Sequence, residues 1–137
     1  MVYYNKATGA KNDMNVTRYD NITVSKMETL LADGPLGALM YVDSAFQAYR
    51  SGVYTGCPSF DNAYAGINHA VVIVGMDADK NYIIKNSWGT TWGESGFATV
   101  SSVNDCALTA YVFSLTWGYQ LIGSSFIFFL ALLVFVF

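Results

Sequence analysis

The densest run of hydrophobic positions lies between residues 67 and 89. One arm runs from Ile67-Asn68-His69-Ala70 through Val71 to Met76, and the other is Tyr82-Ile83-Ile84-Lys85-Asn86-Ser87-Trp88-Gly89. A polar break, Asp77-Ala78-Asp79-Lys80, separates them. Two arms rich in β-branched and aromatic residues around an Asp-rich break predict a β-hairpin. With Asp77 facing Lys80, opposed residues have numbers summing to 157, so His69 faces Trp88 and Val71 faces Asn86. Side chains alternate faces along a strand, which puts His69, Val71, Asn86 and Trp88 on one face. His69 and Asn86 are then diagonal neighbours, roughly 7–8 Å apart at the backbone and within side-chain reach.

Elsewhere the pattern is sparser. Ser25-Lys26-Met27-Glu28 reads as a capping box opening a helix to about Asp33, with Met27, Leu30 and Leu31 on one face. Gly34-Pro35 ends it. Leu36 to Val42 predicts a buried strand, Ser44 to Tyr49 one or two helical turns, and Phe97 to Val100 another strand. Residues 1–24 read as polar and turn-rich.

At the other end, no charged residue follows Asp105, and Leu121 to Phe137 is almost entirely Phe, Leu, Ile and Val. A helix of that length rises about 25 Å, a little short of a hydrocarbon layer of about 30 Å. Trp117 and Tyr119 as interfacial anchors extend it to a single membrane span over residues 116–137. Gly123-Ser124-Ser125 is a small-residue patch of the kind lipid-anchor signals carry, but the polar spacer is missing. Residues 1–115 are left as one folded domain.

Composition narrows the functional classes. Hydrophobic residues make up 53% and charged residues 12%, so the chain has the means to build a core. A net charge of −3 gives no electrostatic reason to expect nucleic acid as a partner. No repeat, phosphate loop or metal cluster is visible, and one histidine with two separated cysteines cannot fill a structural zinc site. Neither metal nor cofactor is therefore expected. Asn15-Val16-Thr17 and Asn21-Ile22-Thr23 are glycosylation sequons, making Asn15 and Asn21 candidates on a secretory route, although no signal peptide is visible at the start. A histidine on an apolar strand is commonly a core residue, and Asn86 and Trp88 have equally plain uses in ending a strand and filling a core. The chemical alternative is an orienter–base pair, the back half of a nucleophile–base–orienter relay.

Asn68-His69-Ala70-Val71, then Asn86-Ser87-Trp88-Gly89, then Trp92-Gly93-Glu94 and Gly96-Phe97 resemble the C-terminal half of a papain-family cysteine protease, the group that includes the cathepsins. The resemblance extends over roughly Val16 to Leu115. It implies an α+β fold, an antiparallel β-barrel-like half of the enzyme, with His69 as base and Asn86 as its orienter. Trp88 would shield their hydrogen bond, and Trp88 and Trp92 would help form the primed side of the cleft. Leu39, Ala70 and Tyr111 would line the main specificity pocket, with an apolar preference.

The family also commonly joins the loop before the histidine strand to a cysteine near the domain's end, which implies a Cys57–Cys106 disulfide. The competing role for Cys57, a nucleophile, lacks the cationic neighbour or helix N-terminus that lowers a thiol's pKa. A disulfide implies an oxidising compartment, a lysosome-like lumen or the cell exterior. Two features of the family are missing. No cysteine precedes Cys57, and Gln47 lies in the wrong element to serve the oxyanion hole. The resemblance thus implies part of a cysteine endopeptidase acting on peptides, inactive alone and in need of an N-terminal half. Two further readings are a non-catalytic, membrane-anchored decoy that binds peptides or inhibitors, and a structural protein whose hairpin is coincidental.

Overall fold

The structure, a computed structural model, describes residues 2–4 and 11–119, with side chains over residues 14–116. Eight strands form one sheet: β1 (Val2–Tyr4), β2 (Lys11–Asp20), β3 (Leu36–Met40), β4 (Val53–Tyr54), β5 (His69–Met76), β6 (Tyr82–Lys85), β7 (Phe97–Val100) and β8 (Tyr111–Tyr119). Their order across the sheet is β1-β2-β8-β3-β5-β6-β7-β4. Among the described residues three short helices accompany them: α1 (Val24–Leu31), α2 (Ser44–Gln47) and α3 (Phe60–Ala65).

The expected antiparallel barrel-like half is corrected in two respects. The sheet is open, ending on β1 and β4, and it is mixed, because β4 runs parallel to β7 through Val53↔Thr99 and Tyr54↔Val100. A parallel pair needs a long crossover, which α3, β5 and β6 supply.

The chain's ends differ more. Residues 1–24, read as turn-rich, contain the ten-residue strand β2, which pairs with β8 over nine positions from Asn12↔Tyr119 to Asp20↔Tyr111. Asn15 to Arg18 are exposed, so both faces of β2 meet solvent over these positions, in keeping with the polar composition that hid the strand. β8 carries residues 111–119 as strand, so the helix expected from residue 116 does not begin there, and Trp117 is a ladder residue opposite Met14. Residues 120–137, including the apolar run from Leu121, lie outside the described residues. Among the described residues, no helix is long and apolar enough to cross a membrane. The sequon residues Asn15 and Asn21 are both exposed, the first within β2 and the second where the chain bends toward α1.

α1 starts one residue before Ser25, and its cap is Thr23, whose hydroxyl accepts the Lys26 amide at 3.2 Å. Glu28, expected to close a capping box, instead pairs with Lys80 at the hairpin tip. The expected apolar face holds: Met27 and Leu30 are buried and Leu31 packs against the core. α2 is capped by Asp43, whose carboxylate accepts the Phe46 amide.

The β5–β6 hairpin keeps the expected register where it matters. Val72↔Lys85 and Ile73↔Ile84 sum to 157, but Gly75↔Ile83 and Met76↔Tyr82 are one step further on. The slip is a β-bulge at Val74, which leaves that side chain partly exposed.

Tyr82, Phe46, Met27, Leu36, Met40, Ile73 and Ile84 are among the largest fully buried side chains. The Tyr82 hydroxyl has no hydrogen-bond partner among the described residues, and burial, with the Asp105 charge adding, pushes its phenol up to about 12. A raised phenol keeps its proton in the folded state after the unfolded chain has lost it. Stability from this group is therefore complete below about pH 10 and declines toward pH 12, by roughly 2–3 kcal/mol. Urea midpoints at pH 8, 10 and 11.5 should record that decline. Tyr82→Phe should shrink it with little effect at pH 8, because the hydroxyl it removes is unpaired.

The segment before β8 is tightly held. Cys106 is bonded to Cys57, and the disulfide expected from the resemblance is present. Cys106 and Ala107 both adopt positive φ, 53° and 63°. The buried Asp105 carboxylate holds this turn by accepting the Ala107 amide, the Thr109 amide and the Thr109 hydroxyl.

Candidate active site

His69 is the first residue of β5, opposite Met40 of β3. The ladder between β5 and β6 stops at Lys85, and the chain then turns away: the Asn86 amide donates to Gly96 O at 2.9 Å. This loop delivers the Asn86 side chain to the imidazole. His69 Nε2 lies 2.9 Å from Asn86 Oδ1, so the diagonal contact read from the hairpin pattern exists.

The same carboxamide oxygen accepts the Ser87 amide at 2.8 Å. A backbone N–H can only donate, so the atom it meets is the oxygen and not the amide nitrogen. The imidazole nitrogen sharing that oxygen must then also donate. His69 is thereby held with a proton on Nε2, and in the neutral ring Nδ1 is then the acceptor. Asn86 is buried, and its Nδ2 has no partner among the described residues. An orphaned buried donor costs about 1–3 kcal/mol, and such groups call for a functional explanation.

A row of aromatic rings begins at the imidazole. The Trp88 ring lies 4.8 Å from the His69 ring at 35°. Trp92 meets Trp88 edge-on at 5.1 Å, and its indole N–H donates to Gln47 O at 3.0 Å. Gln47 thus contributes a backbone carbonyl to this cluster. Phe46 sits behind both tryptophans, 6.1 Å from Trp88 and 5.4 Å from Trp92.

Asn68, part of the Asn68-His69-Ala70-Val71 motif, has its own task. Its carboxamide accepts the Val42 amide and donates to Val42 O, both at 2.9 Å, which prolongs the β3–β5 ladder past His69. An amide side chain at the mouth of a strand is the only sequence signal for this.

The three expected pocket residues fall on neighbouring strands. Leu39 faces Ala70 across β3–β5, and Ala38↔Val112 brings Tyr111 level with Leu39 on β8. All three are half-buried. The Tyr111 hydroxyl shares a 2.5 Å hydrogen bond with that of Tyr64, and the Arg18 guanidinium lies 4.6 Å from the Tyr111 ring centroid. The Tyr64 hydrogen bond, followed by burial, pushes the Tyr111 phenol up. Tyr64 and Arg18 therefore belong to this wall, although nothing local in the sequence joins them to it.

The family model described as "Papain family cysteine protease" matches residues 3–116. Gamete and mating-type specific protein A of Dictyostelium discoideum is 45% identical over 95 residues, covering 68% of this chain and 20% of that protein. Ananain of Ananas comosus is 33% identical over 100 residues, covering 67% of this chain and 27% of that protein. Among solved structures, the Carica candamarcensis cysteine protease CMS1MS2 in complex with E-64 superposes with a TM-score of 0.63 at 30% identity, over 74% of this chain and 48% of that one. Bromelain from Ananas comosus, with the same inhibitor, gives 0.61 at 28% identity, over 74% of this chain and 49% of that one. The chain thus spans a fifth to about a quarter of these two curated relatives, and about half of the superposed proteases. On the extent of these matches, this chain belongs to the papain family of cysteine proteases.

Proposed function

We propose that these residues are the base-and-orienter half of a papain-like cysteine endopeptidase, with His69 and Asn86 in those two roles. One observation carries the reading: Asn86 Oδ1, fixed by the Ser87 amide, holds His69 Nε2 and leaves Nδ1 to accept a proton. Both cysteines of the chain are tied to each other, and in this reading the thiol would come from an N-terminal half. His69 Nδ1 would take the proton of that thiol. The thiolate would attack the peptide carbonyl, the imidazolium would protonate the leaving amine, and water would cleave the thioester. Trp88 and Trp92 would keep water from the His69–Asn86 bond and flank the primed side of the cleft. Leu39, Ala70 and Tyr111 would receive an apolar side chain. A disulfide suits an oxidising setting, such as a lysosome-like lumen or the cell exterior.

The test is complementation. The chain alone should hydrolyse no peptide and take up no thiol-directed probe. Joined to a papain-family N-terminal half that carries the nucleophile, it should do both. In the joined protein His69→Ala should abolish turnover, and Asn86→Ala should lower kcat/KM by about 10²-fold or more, because the ring loses the group that fixes its tautomer and orientation. A joined protein that binds peptide but never cleaves it would instead support the decoy. Turnover unaffected by His69→Ala would end the proposal.

A further inference from the structure

Glu94 and Tyr49 meet across 45 residues of sequence, and Tyr49 stands at the other end of a row of rings that passes through Trp92 and Trp88 to the imidazole. The Tyr49 hydroxyl lies 2.6 Å from Gly52 O and 3.1 Å from Glu94 Oε2, and it accepts the Thr99 amide at 3.4 Å. The other carboxylate oxygen of Glu94 accepts the Gly52 amide at 3.3 Å. Tyr49 is buried and Glu94 is exposed. Burial pushes the Tyr49 phenol up, with the Glu94 charge contributing, so the hydroxyl keeps the proton that these contacts share.

The turn that presents Glu94 also carries Trp92, and it is pressed onto Tyr49. Gly93 has φ 54°, and a Cβ there would stand 2.5 Å from Phe97 O and 3.1 Å from the Tyr49 ring. The Tyr49 and Trp92 rings are 5.6 Å apart, Trp92 meets Trp88 edge-on, and Trp88 covers His69. Packed interiors have few voids, so a ring in such a row cannot move without its neighbours. The row therefore runs without a break from the Tyr49–Glu94 contact to the imidazole.

We propose that Tyr49 and Glu94 are positioning residues, a latch that presses Trp92 and Trp88 onto the His69–Asn86 hydrogen bond and keeps water from it. The purpose of the latch rests on the catalytic role assigned to His69 above, but its mechanical action does not. Neither residue touches His69 or Asn86 in the hydrogen bonds described.

The chain has one histidine, so a single imidazole N–H signal in ¹⁵N-labelled protein reports on the pair. Solvent exchange of the His69 Nε2 proton should speed up about tenfold in Tyr49→Phe and in Glu94→Ala, the effect of one hydrogen bond lost from the latch. Glu94→Gln keeps one carbonyl acceptor and should restore most of the protection. Amides of Val71 and Ile73 in β5 should exchange at unchanged rates. Should Tyr49→Phe fail to fold, the two Glu94 variants decide the matter, because that side chain is exposed. Exchange that stays unchanged in the Glu94 variants, or that rises equally at Nε2 and at the β5 amides, would overturn the latch. None of these readouts needs a working peptidase. A failed complementation with an intact exchange effect would count against the function proposed above and not against the latch.

Discussion

Removing the Cys57–Cys106 bond, by Cys57→Ala with Cys106→Ala or by reduction, should destabilise the chain by about 4 kcal/mol. The figure is the loop-closure entropy that a cross-link over a separation of 49 residues takes from the unfolded chain. For a domain of this size it corresponds to a fall in Tm of roughly 10–20 °C. Typical domains are stable by about 5–15 kcal/mol, so much of the margin is at stake. The loop so closed contains His69, Asn86 and both covering tryptophans. The bond does not act alone on its turn. Asp105 accepts three hydrogen bonds there, Tyr41 donates to Cys106 O, and the Asn104 side chain donates to Cys57 O. Thermal unfolding of the double variant gives the measure. A loss below about 1 kcal/mol would mean that these hydrogen bonds hold the turn without help, and the entropic account would fail.

Phe46→Ala should be similarly damaging, at about 3–5 kcal/mol. Phe46 is 1% exposed and its ring lies 6.2 Å from Tyr49, 5.0 Å from Tyr54, 6.1 Å from Trp88 and 5.4 Å from Trp92. Truncation removes its transfer energy and leaves a cavity between rigid rings that cannot readily close. Phe46→Leu keeps much of the volume and should cost considerably less. Phe60 is 40% exposed, so Phe60→Ala serves as a control and should change stability far less. Denaturant midpoints for the three variants test the ordering. Equal losses at Phe46 and Phe60 would mean that the ring cluster is not a keystone of the core.

The His69–Asn86 contact was legible because strand periodicity is local. Alternation by twos put imidazole, carboxamide and indole on one face before any tertiary information was used. At the turn the pattern predicts Asp77 facing Lys80, whereas the Asp77 amide donates to Asn81 O, and the bulge at Val74 restores the expected register beyond it. Features that depend on distant partners stayed hidden. β2 reads as Lys-Asn-Asp-Met-Asn-Val-Thr-Arg-Tyr-Asp, and it is a strand because β8, about a hundred residues later, pairs with it. Arg18 reaches Tyr111, and Glu94 reaches Tyr49, across separations that no local pattern encodes. α1 shows the limit for caps, since Thr23 and Ser25 are both good candidates and only the backbone geometry chooses Thr23. The polar, αL-tolerant residues expected where φ is positive are also absent from Cys106-Ala107.

The slip at Val74 has an evolutionary corollary. A strand pair with a spare residue midway can absorb a change of length at its tip by relocating or losing that residue. Insertions or deletions around Asp77 to Asn81 could then accumulate among descendants while the imidazole and carboxamide stay in step. The tip becomes free to diversify, and the end that matters for chemistry is shielded from its drift.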